Sequence, residues 1–154
     1  PEDIKIAKSG VLPDNAFYFL KRLGRGIQEF FTFDSLAKTQ IILKHNSWEM
    51  VETLSLLQKS LNEKNPILKN LQISIAASEL DSIENRFNQV QDIVEKTDRI
   101  DKNKAKAISG VAFNYAEKFF RQELILQEIE DKLDDSAFIK IENGRAKRPG
   151  VLRF

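Results

Sequence analysis

His45, the only histidine of the chain, is the side chain best suited to chemistry, and Glu49 follows it by four residues. On a helix this spacing puts an imidazole and a carboxylate on one face, as in part of a metal site. A metal site needs further ligands, and the chain has no cysteine and no Glu-x-x-His repeat. Ser47 points to a different helix face from His45, so the two do not form a nucleophile and its base. We therefore predict no metal, no cofactor and no enzyme activity.

Carboxylates are numerous and occur in two groups, Glu79, Asp81 and Glu84, and later Glu128, Glu130 and Asp131. Acid–base catalysis needs such groups paired in a cleft, whereas their helical spacing is typical of solvated helix faces. The run from Arg22 to Gly26, Arg-Leu-Gly-Arg-Gly, could bind an anion, but no strand precedes it and no lysine–serine pair follows it. Both features are therefore interpreted as ordinary helix surface.

The composition indicates one domain without a strong electrostatic preference for a partner. The chain has 154 residues with 24 basic and 23 acidic side chains, a net charge of +1. No global field would draw it to nucleic acid, which is not an expected partner. A local basic patch of Arg145, Lys147, Arg148 and Arg153 is interpreted as a solvated loop. No apolar run approaches the ~20 residues that cross a bilayer.

Capping signals and apolar spacing divide the chain into helices. Pro13 and Asp14 start a short first helix, and Asp34 caps a second that runs to about residue 60. Asn65 with Pro66 starts a third that runs to about residue 96, and a fourth runs from the turn at 98–103 to about residue 133. We predict an all-α fold, an antiparallel three-helix bundle of long helices with a short aromatic helix at its N-terminus. The predicted organisation is a tether at 1–13, the bundle at 14–134 and an extension at 135–154.

The extension has a different pattern from the helices. The run from Phe138 to Ile141 alternates apolar and polar residues up to a hairpin-type turn at Asn143 and Gly144. We therefore predict a small β-like segment that continues into further protein or docks on a partner.

The first helix has more aromatic residues than one short helix can bury, and it also contains Gly24 and Gly26. The glycines indicate a close helix crossing, a bend, or a helix held by packing alone. The fourth helix has a second apolar face, open to the first helix or to an outside partner. Partner-binding candidates are the surplus apolar residues of these segments: Phe17, Tyr18, Phe30, Phe31, Phe113, Phe120, Phe138, Ile139, Ile141, Val151, Leu152 and Phe154.

Three short motifs near the N-terminus carry a family resemblance. They are Leu-Pro-Asp at 12–14, Phe-Tyr-Phe-Leu-Lys-Arg at 17–22 and Phe-Thr-Phe-Asp at 31–34, followed by a long helix with Lys38. The stretch from about Leu12 to Ser60 resembles the family called domain of unknown function 5667. The region of helix two departs from the family pattern, because Ile41, Ile42, His45 and Trp48 stand where alanines and arginines are common, so partner preferences are not carried over.

The resemblance implies an extracytoplasmic helical domain of bacterial or archaeal proteins, often behind a signal peptide or a membrane anchor, and no enzyme activity. The expected function is a secreted, cell-surface or envelope-anchored structural or interaction module. Its partner would be another protein chain, an envelope component or a second copy in a homo-oligomer. The alternative is a membrane-surface module in which helix 14–33 lies at the lipid interface with Lys21, Arg22 and Arg25 at the headgroups.

Overall fold

The computed structural model describes residues 10–15 and 17–146, and this part of the chain folds entirely into helices and their connections. Five helices follow one another: α1 Tyr18–Phe30, α2 Ser35–Leu61, α3 Pro66–Asp98, α4 Lys102–Glu130 and α5 Asp135–Ala146. The all-α class predicted from the sequence is confirmed.

Side-chain caps fix the starts of the long helices. The Asp34 carboxylate accepts the Ala37 amide at 2.9 Å at the start of α2, and Asn65 caps α3 with Pro66 in the first turn. Both caps are where the sequence predicts them. Asp34 also accepts Lys104 Nζ of α4 at 2.6 Å, and this hydrogen bond, with that from Ala37, lowers the pKa of the Asp34 carboxyl. The Asp34 cap therefore also joins the N-terminal ends of α2 and α4.

Helix α2 lies at the centre of the fold, because it packs against both α3 and α4 and also contacts α1. Helix α3 packs against α4 and α5 as well. The core is filled by leucine, isoleucine and alanine side chains and by the Phe87 and Phe119 rings, whose centroids lie 4.4 Å apart edge to face. Two polar residues, Gln40 and Ser47, interrupt the apolar pattern of α2. Gln40 is exposed, whereas Ser47 is buried and its backbone carbonyl accepts a hydrogen bond from the Gln122 side-chain amide at 3.2 Å.

The C-terminal extension is a helix as far as residue 146, so the β-like prediction for this stretch is wrong. Asp134 caps α5 by accepting the Ala137 amide at 2.8 Å. Ala137 and Ile141, four residues apart, are both buried, and α5 packs on α3. The helical spacing of these two residues therefore prevails over the alternation between Phe138 and Ile141. Residues 147–154, with Val151, Leu152, Phe154 and most of the basic patch, lie outside the described residues.

Gly24 and Gly26 do not mark a close helix crossing. A Cβ at either position would meet no atom of the described chain within 4 Å outside its own turn of backbone. Replacing Gly24 with alanine is therefore expected to raise the free energy of unfolding by about 0.5–1 kcal/mol, because alanine restricts the unfolded chain and favours helix. Urea unfolding followed by circular dichroism measures the change. A fall in stability would mean that the position needs glycine for a contact.

Candidate functional site

Helix α1 turns its charged side toward the protein and its apolar side toward solvent. Tyr18, Arg25 and Glu29 are buried, whereas Leu23 and Phe30 are 56% and 69% exposed. A helix on the surface of a globular protein normally has the opposite arrangement, with its apolar stripe against the core. The orientation of α1 is therefore the feature of this fold that most needs an explanation.

The exposed side of α1 is a continuous apolar surface, which we call the outer face. It consists of Phe19, Leu20, Leu23, Ile27, Phe30 and Phe31, all at least 49% exposed. Phe17 and Phe33, 68% and 83% exposed, flank it at the two ends of the helix. A cleft of about 590 Å³ runs along this face past Gly26, and Arg22 is the one charged residue among those that line it.

The buried side of α1 meets charged side chains of α2 and α3 in what we call the charge cluster. Its members are Lys21, Arg22, Arg25 and Glu29 of α1, Glu49 and Glu52 of α2, and Glu79 and Arg86 of α3. Four are basic and four are acidic, so the cluster is electrically balanced. Balance matters here because an unpaired charge away from water is strongly unfavourable.

Arg25 is the central cation that α1 brings to the cluster. Its guanidinium lies 2.6 Å from Glu52 and 3.6 Å from Glu49 and also stacks over the Trp48 ring, with its carbon 5.4 Å from the ring centroid. Lys21 reaches the second oxygen of Glu52 at 3.0 Å. The carboxylates of α2 therefore receive much of their counter-charge from α1.

Arg86 connects the same carboxylates to α3. It forms ion pairs with Glu49, which has no exposed surface, and with Glu29 of α1, whose Oε1 lies 3.3 Å from Arg86 Nε. Glu29 also lies 3.7 Å from His45 Nδ1, and His45 Nε2 lies 3.2 Å from Gln28 Oε1. His45 thus contacts α1, while Glu49 contacts the two arginines, Arg25 and Arg86. Across residues 10–15 and 17–146, no group of three or more histidine, aspartate or glutamate side chains is placed to hold a metal ion.

The interpretation of the two carboxylate groups as solvated helix faces holds for half of their members. Asp81, Glu128 and Asp131 are exposed, whereas Glu79, Glu84 and Glu130 are each at most 4% exposed. Glu79 is paired with Arg22 at 2.9 Å, and Arg22 also reaches Ser82. One feature of the sequence could have indicated the charge cluster. Glu49 and Glu52 of α2 are three residues apart, and Arg22 and Arg25 of α1 have the same spacing.

Glu79 makes the cluster sensitive to pH. Burial raises the pKa of the Glu79 carboxyl above its ordinary value of 4.5, with Glu49 and Glu52 adding to the shift and Arg22 opposing it. The folded protein therefore keeps this proton at a pH where the unfolded chain has lost it. As pH rises through the folded-state pKa, the stability contributed by Glu79 falls.

The variant Glu79→Gln removes this titration and keeps the shape of the side chain. The unfolding free energy of the wild type minus that of the variant is expected to decrease as pH rises from about 4, and to level off once Glu79 is ionised. Urea unfolding at a series of pH values between about 4 and 7.5 measures this difference. A difference that is constant, or that grows with pH, would contradict a raised pKa.

The structure sorts the partner-binding candidates into three groups. Seven are exposed, namely Phe17, Phe30, Phe31, Phe113, Phe120, Phe138 and Ile139. Tyr18 and Ile141 are buried within the protein, so including them among surface candidates was wrong. Tyr18 is the first residue of α1, where burial and the nearby Glu52 raise the pKa of its hydroxyl, and Ile141 packs in the core. Val151, Leu152 and Phe154 are outside the described residues.

The second apolar face of α4 is also exposed, because Phe113, Phe120 and Leu124 are 73%, 54% and 44% accessible. The aromatic residues of α1 remain exposed as well, so the two surfaces do not bury each other. The outer face has more exposed large apolar side chains than this face of α4, and a cleft runs along it.

The family model described as Domain of unknown function (DUF5667) matches residues 10–136, which extends the resemblance well beyond residue 60 and confirms it. No curated protein and no solved structure matches the chain. Of the helices described between residues 18 and 146, none combines the length and the apolar character needed to cross a membrane.

Proposed function

We propose, from the premise that the chain belongs to the DUF5667 family, that it is a non-enzymatic structural and protein-interaction module of the cell envelope or cell surface, acting outside the cytoplasm. The single observation that carries the interaction role is the outer face of α1. The location follows what the family resemblance implies, and fractionation of native cells tests it.

The outer face is larger than the apolar patches of most monomeric proteins. Its six side chains together with Phe17 and Phe33 expose on the order of 750–1,000 Å² if a fully exposed large side chain contributes ~150–200 Å². The largest apolar patch on a typical soluble monomer is about 300–600 Å². An apolar surface above that range is typical of a binding surface.

The charge cluster supports a protein partner rather than a lipid surface. A helix that lies on a membrane places its lysine and arginine side chains toward the headgroups. In α1 these cations pair with glutamates of α2 and α3, and Arg25 is buried, although Arg22 remains 44% exposed beside the cleft. These ion pairs reduce the positive charge that α1 could offer to anionic lipid.

The remaining helices serve as the frame that presents the outer face. We take α2, α3 and α4 as an antiparallel three-helix bundle, supported by the mutual packing of these three helices and by the short connections between them. Helix α1 lies across this frame and is held by charge pairs to both α2 and α3.

The alternative function is a membrane-surface module in which the outer face enters the lipid interface. It is favoured by the aromatic content of the face, since apolar area alone gives binding to uncharged bilayers. Sedimentation with vesicles of zwitterionic lipid and with vesicles containing anionic lipid tests it. Binding that is lost in a Phe30→Ser variant would support the alternative, and absence of binding to both vesicle types would count against it.

Photo-cross-linking in native cells tests the interaction function directly. A benzophenone amino acid at Phe30 is expected to give a covalent adduct with protein, whereas the same group at Ile100 gives none. Ile100 is the matched control, because it is 89% exposed but lies in the turn between α3 and α4. Lipid adducts alone at position 30 would favour the membrane alternative. No adduct at either position would contradict an interaction role for the outer face.

A further inference from the structure

We propose that the partner of the outer face is a second copy of this chain, bound by an antiparallel crossing of two α1 helices at Gly26. This proposal rests on the proposed function and names its partner. Three properties of the outer face lead to it: its area, its shape and its lack of charge.

The area matches what a stable dimer needs. With Phe17 and Phe33 included, each copy offers on the order of 750–1,000 Å² of exposed apolar surface, and a standard protein interface buries about 800 Å² on each partner. A two-fold symmetric interface uses the same patch on both subunits. Two outer faces packed together with these flanking residues would therefore form an interface of ordinary size.

The shape of the face is complementary to itself. The cleft is open at Gly26, where no described atom outside the neighbouring backbone of α1 lies within 4 Å of a Cβ position, and Phe30 stands one helical turn away on the same face. In an antiparallel crossing centred next to Gly26, Phe30 of each copy faces Leu23 of the other, and Ile27 faces the open position at Gly26. The Phe30 ring and the open space at Gly26 thus lie on the same surface, at positions that a two-fold axis can bring opposite the matching residues of a second copy.

The lack of charge permits this self-association. A charged face would meet its own charge across a two-fold axis and be repelled. Arg22, the one charged residue that lines the cleft, has its guanidinium held by Glu79 and Ser82. The charge cluster also holds α1 from beneath, so the face does not have to be ordered at the moment of binding.

Sedimentation equilibrium of the purified chain tests the proposal with two matched variants. Gly26→Leu fills the cleft, and Gly24→Leu adds the same side chain to the same helix at a position that does not line the cleft. Both positions are exposed, and a Cβ at either would meet no described atom within 4 Å outside the neighbouring backbone of α1, so both variants should fold, and circular dichroism checks this. The wild type and Gly24→Leu are expected to dimerise. Gly26→Leu should weaken dimerisation at least ~30-fold, as for the loss of one hot-spot contact.

Two outcomes would overturn the proposal. One is a wild-type chain that stays monomeric at about 100 μM, and the other is equal association of both leucine variants. The photo-cross-linking adducts formed at position 30 distinguish a failure of this proposal from a failure of the proposed function. An adduct with a different protein would refute the second copy and leave the interaction role standing, whereas no protein adduct would refute both. Adducts twice the mass of the chain would support both.

Discussion

Replacing Glu49 with alanine is expected to lower the free energy of unfolding by about 3–5 kcal/mol, the usual effect of removing one partner from a buried ion pair. Glu49 has no exposed surface and pairs with both Arg25 and Arg86. Without it, two largely buried guanidinium groups share fewer carboxylates. The charge balance under α1 is then lost. Urea unfolding monitored by circular dichroism measures the change.

Glu117 provides the control for this experiment. It is 74% exposed and pairs only across one helical turn with Arg121, so Glu117→Ala should change stability by no more than about 0.5 kcal/mol. Similar small effects of the two substitutions would show that the cluster is not needed for the fold. Glu49→Gln should fall between wild type and alanine, since the amide can still accept a hydrogen bond from Arg86 but has no charge.

Replacing Ile141 with alanine is expected to destabilise the protein by about 2–4 kcal/mol, because it leaves a cavity between α5 and the rest of the core. The Ile141 side chain has no exposed surface and belongs to the same apolar cluster as Leu80 and Leu126. A loss of stability of this size is expected because α5 is part of the folded domain. Thermal and urea unfolding of the full chain measure it.

Ile139 is the matched control, since it lies two residues from Ile141 on the same helix but is 56% exposed. The substitution Ile139→Ala should change stability by no more than about 0.5 kcal/mol. Equal small effects at the two positions would mean that α5 does not pack on α3 in solution. Equal large effects would mean that α5 buries more than one face.

Much of the fold was accessible from local sequence signals. Asp34 and Asn65 cap α2 and α3 as predicted, because an acceptor side chain before an apolar pattern satisfies helix amides whatever surrounds it. The C-terminal extension was mispredicted for a related reason. A short run such as Phe138 to Ile141 satisfies both periods, and packing of Ala137 and Ile141 decides for helix.

Part of the candidate site could be predicted from the sequence. The aromatic content of the first helix, with Phe30 and Phe31, indicates more apolar surface than this helix can bury alone, but the sequence leaves open whether the fourth helix covers it, and in the structure both residues are exposed. The charge cluster was missed because its members come from three helices, and a spacing pattern describes one helix at a time. Glu79 reads as a solvated residue within α3, and its ion pair with Arg22 depends on the position of α1 in the fold.

The sequence alone is enough to predict where the long helices α2 and α3 begin, which side of α1 is apolar and which is charged, and the family to which the chain belongs. Which of those two sides faces inward depends on the packing of α1 on α2 and α3. A helical period separates two faces, but the choice between them depends on the free energy of pairing Glu49, Glu52 and Glu79 on neighbouring helices. Because α1 supplies the cations those carboxylates need, its aromatic side remains exposed and available for binding.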